Sequence, residues 1–446
     1  MADLTYQGLL LDKAGHTKLN LSNGEAVIYS PYGFGKAFVL TGVALQVYEL
    51  LADNKTVEEV LLSDSSSEWA ETVQAITGFL MDEGLFKTKT QKPSVRHKGA
   101  RSIALWIHVT DTCNLRCDYC YVHKGKRRLT KGACDALVQA LKADVTENQI
   151  KKVELKLAGG EPLLDTEIIT YLMRQARSEL TPLGVKIHLS IITNGTLVNE
   201  EKAKFLKDKG FTVMVSLDGL GYFNDARKYA DGRTSVQHVL AGIECLLATG
   251  VKPTILTTVS DANIDGLWDL MEYVRGKGLT LSLSLSRDYE HGVGLKMNVE
   301  NVSSKLVLFL QKVCLLPDSE FPRLSFNGVQ FDGKRTRICG GGLNYFAIDP
   351  NAGVCFCQMT VDKPLGCATE RNSILCFATY LDYSLEGGGC SDCIWKYVCC
   401  GGCPVLARDA ETLGQPSVMC SLMKGILPAI LLYEGRKIRR TKERKK

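Results

Sequence analysis

The chain has 446 residues, roughly three times a typical domain, and 45% of them are hydrophobic, which excludes a disordered chain and points to two to four domains around sizeable cores. No apolar run reaches the roughly 18 residues of a membrane helix, and Met1-Ala2-Asp3-Leu4 lacks a basic stretch ahead of an apolar one, so a cytoplasmic protein without membrane contact or export signal is expected. Of the net charge of +5, residues Gly435 to Lys446 carry +7, which leaves −2 for the rest, with −5 over residues 1–95, so the body offers no phosphate-binding surface and nucleic acid is not an expected partner.

Residues 1–90 begin with strand-like runs at 8–11, 25–30 and 37–41, followed by helical apolar spacing at 43–53, 56–62 and 69–83. Strands followed by three helices describe a small winged-helix-like α+β domain. Residues 91–100 have no apolar period and read as a linker. Over 101–324 apolar runs at 102–109, 152–157, 185–192, 211–217, 252–259 and 280–286 alternate with amphipathic segments, the pattern of an α/β parallel sheet covered by helices. Six such units predict a partial (β/α)6 TIM-like barrel whose open side admits a long substrate and whose site lies at the carboxyl ends of the strands.

Beyond 324 periodicity weakens, and eleven of the seventeen cysteines lie from Cys339 to Cys420. In a chain expected to be cytoplasmic, such thiols are kept reduced to hold metal, and the region 325–434 is expected to be organised by it as a Cys-rich iron-sulfur domain. Residues 435–446 read as a solvated, frayed basic tail. Cys134, Cys245 and Cys314 fall in helical segments and read as small core residues.

Just after the first barrel strand stands Cys113-Asn114-Leu115-Arg116-Cys117-Asp118-Tyr119-Cys120. Three cysteines on one loop can hold three irons of a cubane and leave the fourth open. Here the sequence resembles the radical SAM superfamily. That resemblance implies that S-adenosylmethionine chelates the open iron of a 4Fe-4S cluster on Cys113, Cys117 and Cys120, with Tyr119 near the adenine. Further motifs follow in barrel order: Gly159-Gly160-Glu161-Pro162, Thr193-Asn194-Gly195 and Ser216-Leu217-Asp218-Gly219. By resemblance the first meets the methionyl ammonium, Thr193 and Asn194 belong to the cofactor site, and Ser216 and Asp218 reach the ribose. Arg227, beside Lys228, stands near the position of a family arginine at the cofactor carboxylate. Reductive cleavage of the bound sulfonium would give a 5'-deoxyadenosyl radical able to take hydrogen from an unactivated C–H bond.

The second cysteine region, Cys390-x2-Cys393-x5-Cys399-x3-Cys403 with Cys420, preceded by Cys339, Cys355 and Cys357, resembles the SPASM domain. The resemblance implies two auxiliary 4Fe-4S clusters, three in all, one on Cys390, Cys393, Cys399 and Cys420, the other on Cys339, Cys357 and Cys403. Cys355 rivals Cys357, and the fourth ligand of that cluster is open among Cys355, Cys367, Cys376 and a substrate thiolate. Cys400 reads as a packing thiol.

Residues 1–90 resemble a PqqD-like peptide-recognition element, carried by Leu40 to Val60 and by Phe79 to Phe86. Together the resemblances imply a radical SAM maturase that binds the leader of a ribosomally made precursor peptide and crosslinks its core, drawing electrons from a reducing protein such as flavodoxin or ferredoxin. Side-chain oxidation of the formylglycine-forming type is the rival enzyme reading. A non-catalytic iron-sulfur electron-transfer or regulatory protein is the other.

Overall fold

In the computed structural model the described residues are 16–21, 24–31, 35–53, 55–64, 66–86, 102–286, 297–333, 335–378, 389–406 and 419–443. The strand expected at 8–11 lies outside them. β1 (Thr17–Asn20), β2 (Ala26–Tyr29) and β3 (Ala37–Leu40) form an antiparallel sheet in that order, followed by α1 (Gly42–Ala52), α2 (Val57–Leu61) and α3 (Ser67–Asp82). Thr56 and Glu59 start α2 as a reciprocal cap, with Glu59 N–H on Thr56 Oγ1 at 3.1 Å and Thr56 N–H on Glu59 Oε2 at 2.7 Å. All four residues of β2 are buried because the sheet is covered on both faces. Ala26 and Ile28 meet the core of the three helices, while Val27 and Tyr29 join the main core of the molecule.

That main core is built on the six expected strands: β4 (Ser102–Thr110), β5 (Lys152–Gly159), β6 (Lys186–Thr193), β7 (Thr212–Ser216), β8 (Thr254–Val259) and β9 (Thr280–Leu285), each parallel to the next. The helices α4 (Lys131–Asn148), α5 (Thr166–Leu180), α6 (Glu200–Asp208), α7 (Val236–Ala248), α8 (Leu267–Gly276) and α9 (Val299–Leu315) separate or follow them. On β4 the period-2 pleat sends Ile103, Leu105, Ile107 and Val109 into the core with Leu137 and Leu141 of α4. Ala104, Trp106 and His108 consequently share the opposite face.

The sheet crosses the boundary expected at residue 324. β10 (Arg323–Phe326) pairs parallel with β9, and β11 (Tyr345–Ile348) pairs parallel with β4, followed by antiparallel β12 (Gly353–Cys355) and β13 (Gly366–Cys367). The result is one ten-stranded sheet whose end strands, β10 and β13, are different, so it stays open. These added strands are two to four residues long, too short to show a period of their own. Short helices α10 (Ala368–Arg371) and α11 (Lys396–Cys399) follow.

The basic end differs from the frayed tail that its charge suggested. Helix α12 (Cys420–Glu443) continues through Gly435, and Arg436 and Arg439 are each only 7% exposed. Arg436 donates to Leu316 O at 2.7 Å and to Cys314 O, Arg439 meets Asp318 Oδ2 at 2.6 Å, and Arg440 donates to Phe321 O at 3.2 Å. The carbonyls that end α9 lack helical partners and carry the negative end of its dipole, so arginines on a neighbouring helix are held there. Among the described residues no helix is long and apolar enough to cross a membrane.

Candidate functional site

The loops that follow β4 and β5 lie in direct contact. Gly160 N–H donates to Thr110 O at 2.6 Å and Glu161 N–H to Thr112 O at 2.9 Å. A Cβ on Gly159 would stand 2.5 Å from Thr110 O, and one on Gly160 only 2.0 Å from Thr112 O. The two glycines thus exist for the approach of one backbone to another, immediately before Cys113. Pro162 is buried and opens the short 3-10 turn Pro162–Leu164 that leads into α5.

Glu161 is completely buried. Its Oε1 accepts from Leu163 N–H at 3.1 Å and Thr193 Oγ1 at 2.7 Å, and its Oε2 accepts from Asn194 N–H at 2.7 Å. Burial pushes the carboxyl pKa up, against the pull of the Asn194, Thr193 and Leu163 hydrogen bonds and of Arg227. Three donors leave about one of the roughly four lone-pair positions of a carboxylate for an outside donor, which suits an ammonium group.

Cys113, Cys117 and Cys120 lie on the loop after β4, and Cys117 feels both of its companions electrostatically. Burial pushes the Cys117 thiol up to about 11, opposed by Arg227. Cys113 Sγ accepts from Leu115 N–H at 3.4 Å and from Asn194 Nδ2 at 3.8 Å, and Cys120 Sγ accepts from Lys124 Nζ at 3.0 Å. The loop after β7 holds this segment in place through Arg116 N–H to Lys228 O at 2.7 Å and Asp118 N–H to Ala226 O at 2.9 Å. Among the described residues no three His, Cys, Asp or Glu side chains close on a single-ion site. A cubane instead takes each thiolate at a separate iron, and the three thiols could hold one iron each.

Tyr119, Asp218 and Arg227 come together in one buried group. The Tyr119 hydroxyl donates to Asp218 Oδ2 and accepts from Arg227, whose guanidinium is 3.8 Å from the same carboxylate. Asp218 Oδ1 also accepts from Thr258 N–H at 2.9 Å. Burial pushes the Asp218 carboxyl up, while Arg227, Tyr119 and Thr258 act to lower it. Ser216 is buried at the end of β7.

Asn224 and Asn263 were absent from the sequence reading. Asn224 Oδ1 accepts from Asp218 N–H at 3.0 Å, and Asn263 Nδ2 donates to Asp218 O and Thr258 O at 2.9 Å. They fix the turn that carries Asp218, and a single asparagine outside any motif gives no signal in one sequence.

His108 was also missed. It is fully buried on the face of β4 opposite Ile107, edge-on to Tyr121 at 6.0 Å between centroids, and among the described residues neither ring nitrogen has a hydrogen-bond partner. Burial, then Lys124 and Arg127, push its pKa down to about 3. A histidine neutral when folded but protonated when unfolded leaves stability intact above its unfolded pKa of about 6.5 and erodes it as pH falls towards the folded value. His108→Phe should therefore remove about 1.4 kcal/mol of the stability lost between pH 7.5 and 5.5, measured by urea unfolding at both pH values. An unchanged pH dependence would show that His108 titrates in the folded protein as it does in the unfolded chain.

In the Cys-rich region Cys390, Cys393, Cys399 and Cys420 line one small cavity together with Trp395 and Met423. Burial first, and then the neighbouring Cys390, Cys420 and Cys393, push the Cys399 thiol up to about 12. Cys339 and Cys357 both act on the buried hydroxyl of Tyr345. Cys355 packs with Ala347, Val361, Trp106 and Tyr121, its Sγ 3.6 Å from Val361 O and 3.7 Å from Gly353 O, and lies within electrostatic reach of Cys357. Cys367 and Cys376 donate to backbone carbonyls, at 3.5 Å to Ala352 O and 3.3 Å to Ser373 O. Cys403 precedes the turn Pro404–Leu406. Cys400 takes a left-handed backbone, φ 52°, and turns its sulfur to Arg335 O at 3.5 Å, away from the cavity that Cys399 lines.

The family description "Radical SAM superfamily" matches residues 107–274, the stretch that contains the cysteine loop, the glycine pair and the buried Asp218 group. An uncharacterized protein of Methanocaldococcus jannaschii is 30% identical over 210 residues, which is 45% of this chain and 69% of that protein. The serine-type anaerobic sulfatase-maturating enzyme of Klebsiella aerogenes is 23% identical over 317 residues, 66% of this chain and 77% of the enzyme. Among solved structures, anSMEcpe with bound AdoMet and the Cp18Cys peptide superposes with a TM-score of 0.63 at 22% identity, covering 76% of this chain and 99% of that one, a likeness of fold. The chain belongs to the radical SAM superfamily. Membership implies S-adenosylmethionine and a 4Fe-4S cluster, which the thiol loop and the buried carboxylate at the ends of β4 and β5 fit.

Proposed function

We propose that this radical SAM enzyme is a peptide maturase, which takes hydrogen from a ribosomally made precursor peptide and closes an intramolecular crosslink, a thioether or a carbon-carbon bond. The observation that carries the reading is a second thiol centre apart from the first: Cys390, Cys393, Cys399 and Cys420 around one cavity. A crosslink removes two hydrogen atoms from the peptide: one would go to the 5'-deoxyadenosyl radical, and the other would leave as a proton and an electron, which an auxiliary cluster could receive. In this reading those four thiols hold one auxiliary cluster. Cys339, Cys357 and Cys403 hold the other, with Cys357 preferred to Cys355 because it shares the surroundings of Tyr345 with Cys339. The expected partition into 1–90, 91–100, 101–324 and 325–434 is kept as a functional division, with the last sharing its sheet with the barrel.

Bound S-adenosylmethionine and its cluster supply the 5'-deoxyadenosyl radical. The chain's own work is placement. Cys113, Cys117 and Cys120 hold the cluster, and Glu161, in its cradle of Gly159, Gly160 and Pro162, offers its free lone pair to the methionyl ammonium. Thr193 and Asn194 aim that carboxylate. Tyr119, Ser216 and Asp218 flank the nucleoside, and Arg227 neutralises the buried Asp218. Residues 1–90 take the leader peptide by strand addition at an edge of their small sheet, because the sheet's faces are already covered. A flavodoxin or ferredoxin delivers electrons.

The test is to read the frames that adjoin the gene for a short precursor peptide, synthesise it, and follow it by mass spectrometry after anaerobic incubation with enzyme, S-adenosylmethionine and dithionite. Loss of two hydrogens with no aldehyde trapped by a hydrazide supports the reading. An aldehyde would favour side-chain oxidation, which the similarity to the sulfatase-maturating enzyme keeps as the second reading. An unmodified peptide beside abundant 5'-deoxyadenosine would count against both.

A further inference from the structure

We infer that Lys124 sets the reduction potential of the cluster held by Cys113, Cys117 and Cys120, an inference that rests on the proposed assignment of those three ligands. Its Nζ lies 3.0 Å from Cys120 Sγ, a charged N–H donor on one of the three sulfurs. Its charge also acts on Cys113, a second of the three thiols.

The position is held by the chain that follows. Thr112 Oγ1 donates to Gly125 O at 2.9 Å, Asp111 N–H to Arg127 O at 3.0 Å, and Leu129 N–H to Val109 O at 2.8 Å, which fold residues 125–129 back along the end of β4. Arg127, the neighbouring cation, is committed to two carboxylates, Asp111 at 2.6 Å and Asp349 at 3.3 Å. His108 is uncharged here because burial holds its pKa near 3. On this side of the loop the positive charge at the thiols is therefore that of Lys124, while Arg227, which acts on Cys117, is committed to Tyr119 and Asp218.

The chemistry follows from charge. One electron added to the cluster makes the thiolates more negative, and a cation donating to one of them stabilises the reduced form over the oxidised form. Hydrogen bonds to cluster sulfurs and local charge are among the protein's means of setting such potentials. No proton transfer is needed. The electron comes from the one-electron donor that the reaction already requires. Lys124 is thus a positioning residue in the electrostatic sense, acting on the cofactor through Cys120.

The experiment is an EPR-monitored redox titration of the anaerobically reconstituted full-length protein without S-adenosylmethionine, following the signal that a Cys113/Cys117/Cys120→Ala variant lacks and comparing wild type with Lys124→Met and Lys124→Arg. Methionine keeps the stem and removes the charge. We expect at least a tenfold loss in the reduction equilibrium constant, about 59 mV towards negative potential for a one-electron couple, with iron and sulfide unchanged and arginine restoring most of the shift. Equal potentials in all three proteins at full iron content would overturn the proposal.

If methionine cost the cluster itself, Lys124→Gln would be read against Lys124→Arg. A lower potential for glutamine supports the proposal and equal values refute it. The ligand assignment beneath the proposal fails separately. In that case a Cys113/Cys117/Cys120→Ala variant would keep the wild-type signal.

Discussion

Gly160→Ala is expected to lower 5'-deoxyadenosine formation by about 100-fold or more and to reduce the iron held by the protein. The added Cβ would lie 2.0 Å from Thr112 O, 2.5 Å from Thr112 C and 2.9 Å from Asp111 C, all backbone atoms. No side chain can swing aside, so the segment that leads into Cys113 must move. Displacement of a reacting group by about 1 Å is enough to cost on the order of 100-fold in rate. Overpacking of this kind also destabilises, by about 1–3 kcal/mol or more. Gly132→Ala is the control. It lies in α4 with nothing closer than 4.0 Å to the new methyl, and there alanine should stabilise the helix by up to about 1 kcal/mol. A Gly160→Ala enzyme with wild-type turnover would mean that the close contact between the two loops is dispensable.

Tyr29→Ala should cost about 3–5 kcal/mol in unfolding free energy, although Tyr29 lies far in sequence from any cysteine. Tyr29 is fully buried, stacks on Trp395 at 4.9 Å, meets Phe331 edge-on at 5.7 Å and donates its hydroxyl to Ile394 O at 2.8 Å. Trp395 lines the cavity of Cys390, Cys393, Cys399 and Cys420. Loss of the Tyr29 ring therefore removes one wall of the residue that closes the thiol cavity, and iron content should fall with stability. Tyr29→Phe keeps the ring and loses one hydrogen bond, with an expected cost of about 1 kcal/mol. Denaturant unfolding and iron analysis of the three proteins check the series, and equal midpoints would show that the amino-terminal unit is a loose appendage.

The same contacts bear on how leader binding is tested. Deleting residues 1–90 would uncover Trp395 and the face of α12 that meets β2 and β3, where Gly435 abuts Val27 and Arg439 reaches Glu25 at 3.7 Å. A deletion would then report on packing as well as on recognition. Substitutions at exposed positions such as Val43 or Phe79, 44% and 46% exposed, leave that interface intact.

Much of this site was legible because its signals are local. Six strands announced themselves by apolar runs, and the cysteine loop, the glycine pair and the Asp218 turn each stand at a strand's carboxyl end in chain order. What a linear reading lacked was the reason for each residue. The glycine motif suggested a cofactor contact, whereas the neighbour that forbids a side chain at residue 160 is the carbonyl of Thr112, in the loop before Cys113. Arg436 and Arg439 counted as surface charge, because the carbonyls and the carboxylate that bind them come from residues 314–318, more than a hundred positions earlier.

Cys355 and Cys357 could not be separated by spacing. Cys355 packs with Ala347 and Val361, while Cys357 acts electrostatically on Tyr345, as Cys339 does. His108 and Asn263 were invisible for a simpler reason. Each is one polar residue whose meaning comes from neighbours supplied by the fold.

The central claim is that the loop from Cys113 to Cys120 carries the cluster that cleaves S-adenosylmethionine. Its most direct test is the rate of 5'-deoxyadenosine formation, with dithionite as reductant, by anaerobically reconstituted wild type and by a Cys113/Cys117/Cys120→Ala variant. The account predicts steady cleavage by the wild type, none by the variant, and a difference of one 4Fe-4S cluster in iron and sulfide. A variant that retains full iron and cleaves at the wild-type rate would contradict it.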